Sequence, residues 1–110
     1  MAVATTPFLG TVATVVAAGT PVQPPTTCPE NCHTLIIYNP NAAATLLVAF
    51  AANAGAFVTA DAARIPAGTS MTLAIGSVSQ RPALAGDLLF VDATVNGSTA
   101  NITYVNGLSL

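Results

Sequence analysis

Lysine and tryptophan are absent from this sequence, histidine occurs once, and charged side chains supply 5% of the chain. A soluble domain ordinarily carries about a quarter. The charges are Arg64, Arg81, Glu30, Asp61, Asp87 and Asp92. Without a basic cluster, phosphate neutralisation cannot drive association, so nucleic acid is excluded as an expected partner. Disorder is excluded from the other side, because it requires low hydrophobicity and high charge, whereas 53% of these residues are hydrophobic. No run is long and apolar enough for a membrane helix: the stretch from Pro7 to Ala18 is broken by Gly10, Thr11 and Thr14 and falls short of about 20 residues. It also lacks the preceding positive charge of a secretory signal, so synthesis and folding in a cytoplasm are expected.

Missing chemistry narrows function further. His33 is the sole histidine, so any Ser-His-Asp or Cys-His arrangement would have to be built around it. Cys32 is its sequence neighbour and Cys28 lies in a proline-rich loop, a poor setting for a positioned nucleophile. The four carboxylates are scattered, whereas glycosidase chemistry needs two opposed ones. There is no glycine-rich phosphate loop and no H-E-x-x-H. This inventory predicts no enzyme, with no catalytic residue and no cofactor.

What is present begins with Cys28-Pro29-Glu30-Asn31-Cys32-His33. Three readings compete. Two thiolates and an imidazole could join a metal site, but zinc ordinarily takes four ligands, leaving Glu30, Asp61 or a neighbouring subunit to complete it. Haem attachment uses C-x-x-C-H; here the spacing carries one extra residue, and Met71 or another chain would have to supply the axial partner. The third reading, preferred here, is structural: a short-range Cys28–Cys32 disulfide, or thiols that oxidise later. Such a small loop yields at most about 2–3 kcal/mol before strain. No metal is therefore expected.

Along the chain, residues 1–27 carry no charge, are rich in Thr, Val and Ala, and end in Pro21, Pro24 and Pro25. Val12, Val15 and Val16 favour a strand, and the prolines favour an extended connector. Residues 1–27 are thus expected to form an extended N-terminal assembly arm that pairs with another subunit's sheet edge through Phe8, Leu9, Val12 and Val16. The alternative is an ordinary first strand of the same domain.

Residues 28–110 read as a β-sandwich domain. Thr34–Tyr38 is a β-branched run stopped by Asn39-Pro40-Asn41. Thr45–Phe50 places Leu46, Val48 and Phe50 on one face, although Asn41 and Gly55 could instead bound a helix over 42–54. Phe57–Thr59 is a short strand, Ile65-Pro66-Ala67-Gly68 a turn, and Met71, Leu73 and Ile75 share a face. Leu88–Val95 and Ser98–Val105 flank Asn96-Gly97, the preferred pair for a two-residue type I′ hairpin turn. In that hairpin Leu89, Val91, Ala93 and Val95 should face inward with Ala100, Ile102 and Tyr104, leaving Asp92 and Thr94 wet. Asn96-Gly97-Ser98 and Asn101-Ile102-Thr103 match the glycosylation sequon, but turn and strand roles explain them better. The fold class is all-β: a single sandwich or jelly-roll-like domain.

A surface of Ala, Thr, Ser, Asn and Val suits a protein covered by neighbours, though a secreted or thermostable monomer would also carry one. The body, from TLIIYNPNAAATLLVAF through IPAGTSMTLAIG to LLFVDATVNGSTANITYV, resembles the small β-sandwich accessory proteins of tailed bacteriophage virions. The resemblance covers residues 34–106 and is a pattern of turns. It implies a capsid decoration (cement) protein, located in a virion assembled in the host cytoplasm. Its partners would be the major capsid protein, other virion subunits and further copies of itself as a homo-oligomer. A collar, head–tail or fibre-base component is a neighbouring reading, and an extracellular filament subunit that donates its N-terminal strand is another. A carbohydrate-binding module would want exposed aromatics, and the tyrosines are only Tyr38 and Tyr104.

Overall fold

The computed structural model describes residues 3–75 and 88–107. It is an all-β sandwich of two antiparallel sheets packed face to face. The strands are β1 (Phe8–Val15), β2 (Cys32–Tyr38), β3 (Leu46–Ala51), β4 (Ala63–Ile65), β5 (Ser70–Ala74), β6 (Leu88–Ala93) and β7 (Ser98–Asn106). One sheet has the order β1-β7-β2-β5 and the other β4-β3-β6. Arg81 and Asp87 lie outside the described residues.

Period-two alternation builds the core. On β7, Ala100, Ile102 and Tyr104 are buried while Asn101 is exposed, as alternation predicts. On β2, Leu35 and Ile37 point inward with Cys32, opposite Leu73 and Met71 of β5. Residues 46–51 form a strand, and the described residues hold no α-helix; Asn53 instead caps a single 3-10 turn over Ala54–Ala56. Leu46, Leu47 and Val48 are all buried: Leu46 and Val48 join the core, and Asp92, paired with Leu47, is held by Gly19 of the segment after β1, which shields the opposite face. A sheet face covered on both sides loses alternation.

Three expectations need correction. First, β6 and β7 are not a hairpin: β6 pairs with β3 and β7 with β1 and β2, so the 94–97 connection crosses from one sheet to the other. Within this turn only Gly97 takes a left-handed φ, of 75°, and among the described residues no non-glycine does, so the turn is not type I′. The side chain of Asn96 accepts from Ala18 N at 2.8 Å, and Val95 is exposed. Second, Phe57–Thr59 is not a strand. Thr59–Asp61 is a 3-10 turn and the strand comes later, at Ala63–Ile65.

Third, the segment read as an arm leaving the body is an edge strand of its own domain. Phe8–Val15 pairs in full with β7, from Phe8↔Val105 to Val15↔Ser98. The connector after it is clamped too. Gly19 N donates to Asp92 Oδ1 at 2.9 Å, Val22 exchanges two backbone bonds with Val91, and Tyr104 Oη donates to Thr26 O at 2.7 Å. Pro21, Pro24 and Pro25 prevent a continuous ladder, but Val22 between them keeps its N–H, and body side chains serve the rest. Asp92 is consequently buried at 2% exposure rather than wet, its Oδ1 holding Gly19 N and Ala93 N.

One end of the sandwich is closed by a polar knot. Asn39, fully buried, donates through Nδ2 to Ala44 O at 2.7 Å and Ile65 O at 2.9 Å. Its Oδ1 accepts from both nitrogens of Asn41, and Asn41 exchanges two bonds with the backbone of Thr99. Strand β7 is thereby tied to the entry of β3 and to β4 on the opposite sheet.

Candidate functional site

The titratable residues do not converge. Cys32 is buried, whereas His33, next along the same strand, is exposed with Nδ1 2.9 Å from Thr34 Oγ1. Alternation thus sends the neighbouring thiol and imidazole to opposite faces. Both cysteines are thiols here: Cys32 Sγ donates to Thr34 O at 3.3 Å and Cys28 Sγ lies 3.7 Å from Pro29 O. They flank Tyr104. Burial pushes the Tyr104 phenol well above the ordinary tyrosine range, and the two neighbouring thiols push it the same way. Among the described residues, no three of His, Cys, Asp and Glu are grouped to hold a metal. Asp61 sits in a 3-10 turn, Glu30 is exposed before β2, and Asp92 serves two backbone amides.

An apolar cavity of about 420 Å³ opens between the sheets, lined in part by Ile37, Phe50, Phe57, Met71 and Leu73. Its size falls in the range of small-ligand pockets, but such pockets rely on several convergent polar groups for orientation. Asp61 is the one side chain of that kind in the lining, and it is exposed.

The outer face of the four-stranded sheet has a different character. Register places its side chains in rows: Phe8, Val105, Thr34 and Ala74; then Gly10, Thr103, Ile36 and Thr72; then Val12, Asn101, Tyr38 and Ser70. No Asp, Glu, Lys or Arg occurs in β1, β2, β5 or β7. Phe8 is 63% exposed, Val12 50% and Tyr38 42%. The described charges lie elsewhere: Arg64 on β4, Asp92 on β6, Asp61 just before β4 and Glu30 in the loop before β2. The molecule therefore has one broad face that is neutral and carries aromatic and β-branched side chains, a composition that marks interaction surfaces.

Of the four arm residues singled out from the sequence, Leu9 turns inward and packs against the core. Phe8, Val12 and Val16 remain exposed, Val16 at 74%. Sequence reasoning picked the apolar residues of this segment but missed the rest of the face. Ile36, Tyr38, Thr103 and Val105 join Phe8 and Val12 only through strand order, which no local signal encodes. No protein-family model, curated protein or solved structure matches the chain.

Proposed function

We propose that this chain is a structural subunit of a virion, of the capsid decoration (cement) class, which acts by burying surface against its neighbours. The observation that carries the proposal is the neutral outer face of the β1-β7-β2-β5 sheet, with Phe8, Val12 and Tyr38 exposed on it. A monomer that kept this face in water would lack the charge repulsion that holds soluble molecules apart. Two further features support the reading. The described carboxylates, the imidazole and the thiols are dispersed or used in packing, and the turn pattern of residues 34–106 resembles that of phage accessory proteins.

The neutral face would lie on capsid or other virion subunits, with the edge that carries Arg64 left to solvent. A stable contact of this kind needs more than about 1,000 Å² of total buried surface. The test is mass spectrometry of purified tailed-phage particles from the organism that carries the gene, with co-sedimentation of the purified chain on stripped shells. Stoichiometric presence beside the major capsid protein and saturable binding are expected. Absence from the particles together with no binding would sink the proposal.

A further inference from the structure

Among the described residues the two sheets have four edge strands, and they are not equally protected. Strand β4 offers three residues, one of them Arg64, and β5 offers five. The edge of β6 is covered at its centre by the Val22–Val91 bridge. Strand β1 offers eight residues, FLGTVATV, without charge, proline or bulge. Natural sheets shield long edges with those devices, and their absence marks a surface made for pairing.

The direction of the ladder bonds says which groups that edge presents. Pro7 O accepts from Asn106 N, and Val15 O accepts from Gly97 N, both at 2.8 Å. Odd-numbered residues thus turn their main-chain groups toward β7. In an antiparallel strand those of Phe8, Gly10, Val12 and Thr14 then point outward along the open edge. Only Phe8 O has a local partner, the Thr6 hydroxyl at 3.1 Å.

We infer that β1 pairs antiparallel with β1 of a second copy of this chain, about a two-fold axis through Val12, joining two four-stranded sheets into one. Parity restricts the register to even residues opposite even ones, because only they can bond across the new seam, and the spacing of the exposed apolar residues favours a centre at Val12. A centre at Val12 places Val12 against its own copy and Gly10 against Thr14, with Phe8 beside the bend at Val16 that follows the strand. The exposed apolar residues recur four apart, at 8, 12 and 16, so the edge is self-complementary when reversed. No charged side chain precedes Glu30, so no repulsion opposes the match. The axis is isologous, as in most soluble dimers. This inference deepens the assembly reading by naming a partner, and it rests on that reading for its biological purpose.

The experiment uses sedimentation analysis of the full chain and of Val12→Lys and Val12→Asp, with thermal unfolding as the fold control. Val12 is half exposed on the outer face, so both variants should keep a cooperative unfolding transition, at the temperature of the native chain diluted to monomer. The native chain should sediment as a dimer and each variant as a monomer, because like charges meet at the axis. An equimolar mixture should re-form dimers, since Lys then faces Asp. A monomeric native chain, a Val12→Lys variant that still dimerises, or a mixture that stays monomeric would each overturn the inference. Shell binding measured on the same samples separates the two proposals. Binding by a native chain that does not self-pair overturns only the edge pairing. Self-pairing without presence in or binding to particles overturns only the virion reading.

Discussion

Replacing Asn39 tests how much the closed end of the sandwich contributes to stability. Asn39→Ala deletes four side-chain hydrogen bonds, two given to Ala44 O and Ile65 O and two received from Asn41. The site is fully buried. The two carbonyls and the Asn41 amide are left short of partners, at about 1–3 kcal/mol each when water cannot enter. Some relaxation is certain, because Asn41 is only half buried, so the expected loss is about 3–5 kcal/mol. Against the ~5–15 kcal/mol of a typical domain, that is a large share, and it corresponds to roughly 15–20 °C in Tm.

Asn39→Asp is the sharper variant. It keeps the oxygen that serves Asn41 but turns the donor group into an oxygen facing two carbonyls. The folded-state pKa of that carboxyl would be raised above its unfolded value. Its contribution is therefore most favourable below the unfolded pKa, about 4, and is lost as pH rises through the folded one. Asn39→Asp should be less stable than Asn39→Ala at neutral pH and should recover toward it in acid. Urea unfolding followed by far-UV circular dichroism reads both, with an unchanged m-value confirming a shared native state. A loss below about 1 kcal/mol for Asn39→Ala would refute the reasoning, since bonds inside a dry core should cost more.

The remaining predictions concern the clamps on the connector. Because burial raises the folded pKa of Tyr104, its stabilising effect is complete below the unfolded value of about 10 and declines as pH rises from there. In a Tyr38→Phe background, the phenolate absorbance should therefore appear together with unfolding and not before it. Tyr104→Phe removes the bond to Thr26 O and should cost about 1 kcal/mol in chemical denaturation while leaving the sandwich intact. Asp92→Ala strips the acceptor from Gly19 N and Ala93 N and should cost about 2–3 kcal/mol. Asp92→Asn retains an oxygen at the same place and should recover most of that loss in the same measurement.

Legibility followed the range of the interactions. Alternation on β7 and β5 was readable because one face of each strand meets the core and the other does not. The Asn96-Gly97 signal reported a real reversal of the chain. A local turn, however, reads the same whether the next strand pairs with the last or crosses to the facing sheet, and only Val15, Ala18 and Thr45, remote in sequence, decide it. Asp92 read as a wet strand residue because its cover, Gly19, is far away in the chain. Asn39 was recognised as a turn former, yet its burial depends on Ala44, Ile65 and Asn41 arriving together. The candidate face was half visible as an apolar segment around Phe8 and Val12. Its neutrality across four strands followed from a charge count that was plain from the start, combined with a strand order that was not.

The placement of β7 has a consequence for how the chain acquires its structure. The last of the seven strands among the described residues is an inner strand of the larger sheet, lying between the first two. During synthesis β1 therefore emerges with no ladder to join and waits for residues 98–106, while β2 can pair only with β5 until then. Loop closure over nearly the whole chain must precede the bonds that reward it, which makes folding slow for a domain of this size. In that interval the uncharged β1 segment is an unpaired strand among identical nascent copies. Whether it meets its own β7 or a neighbour's depends on chain concentration, so expression level and temperature should govern how much protein reaches the native sandwich.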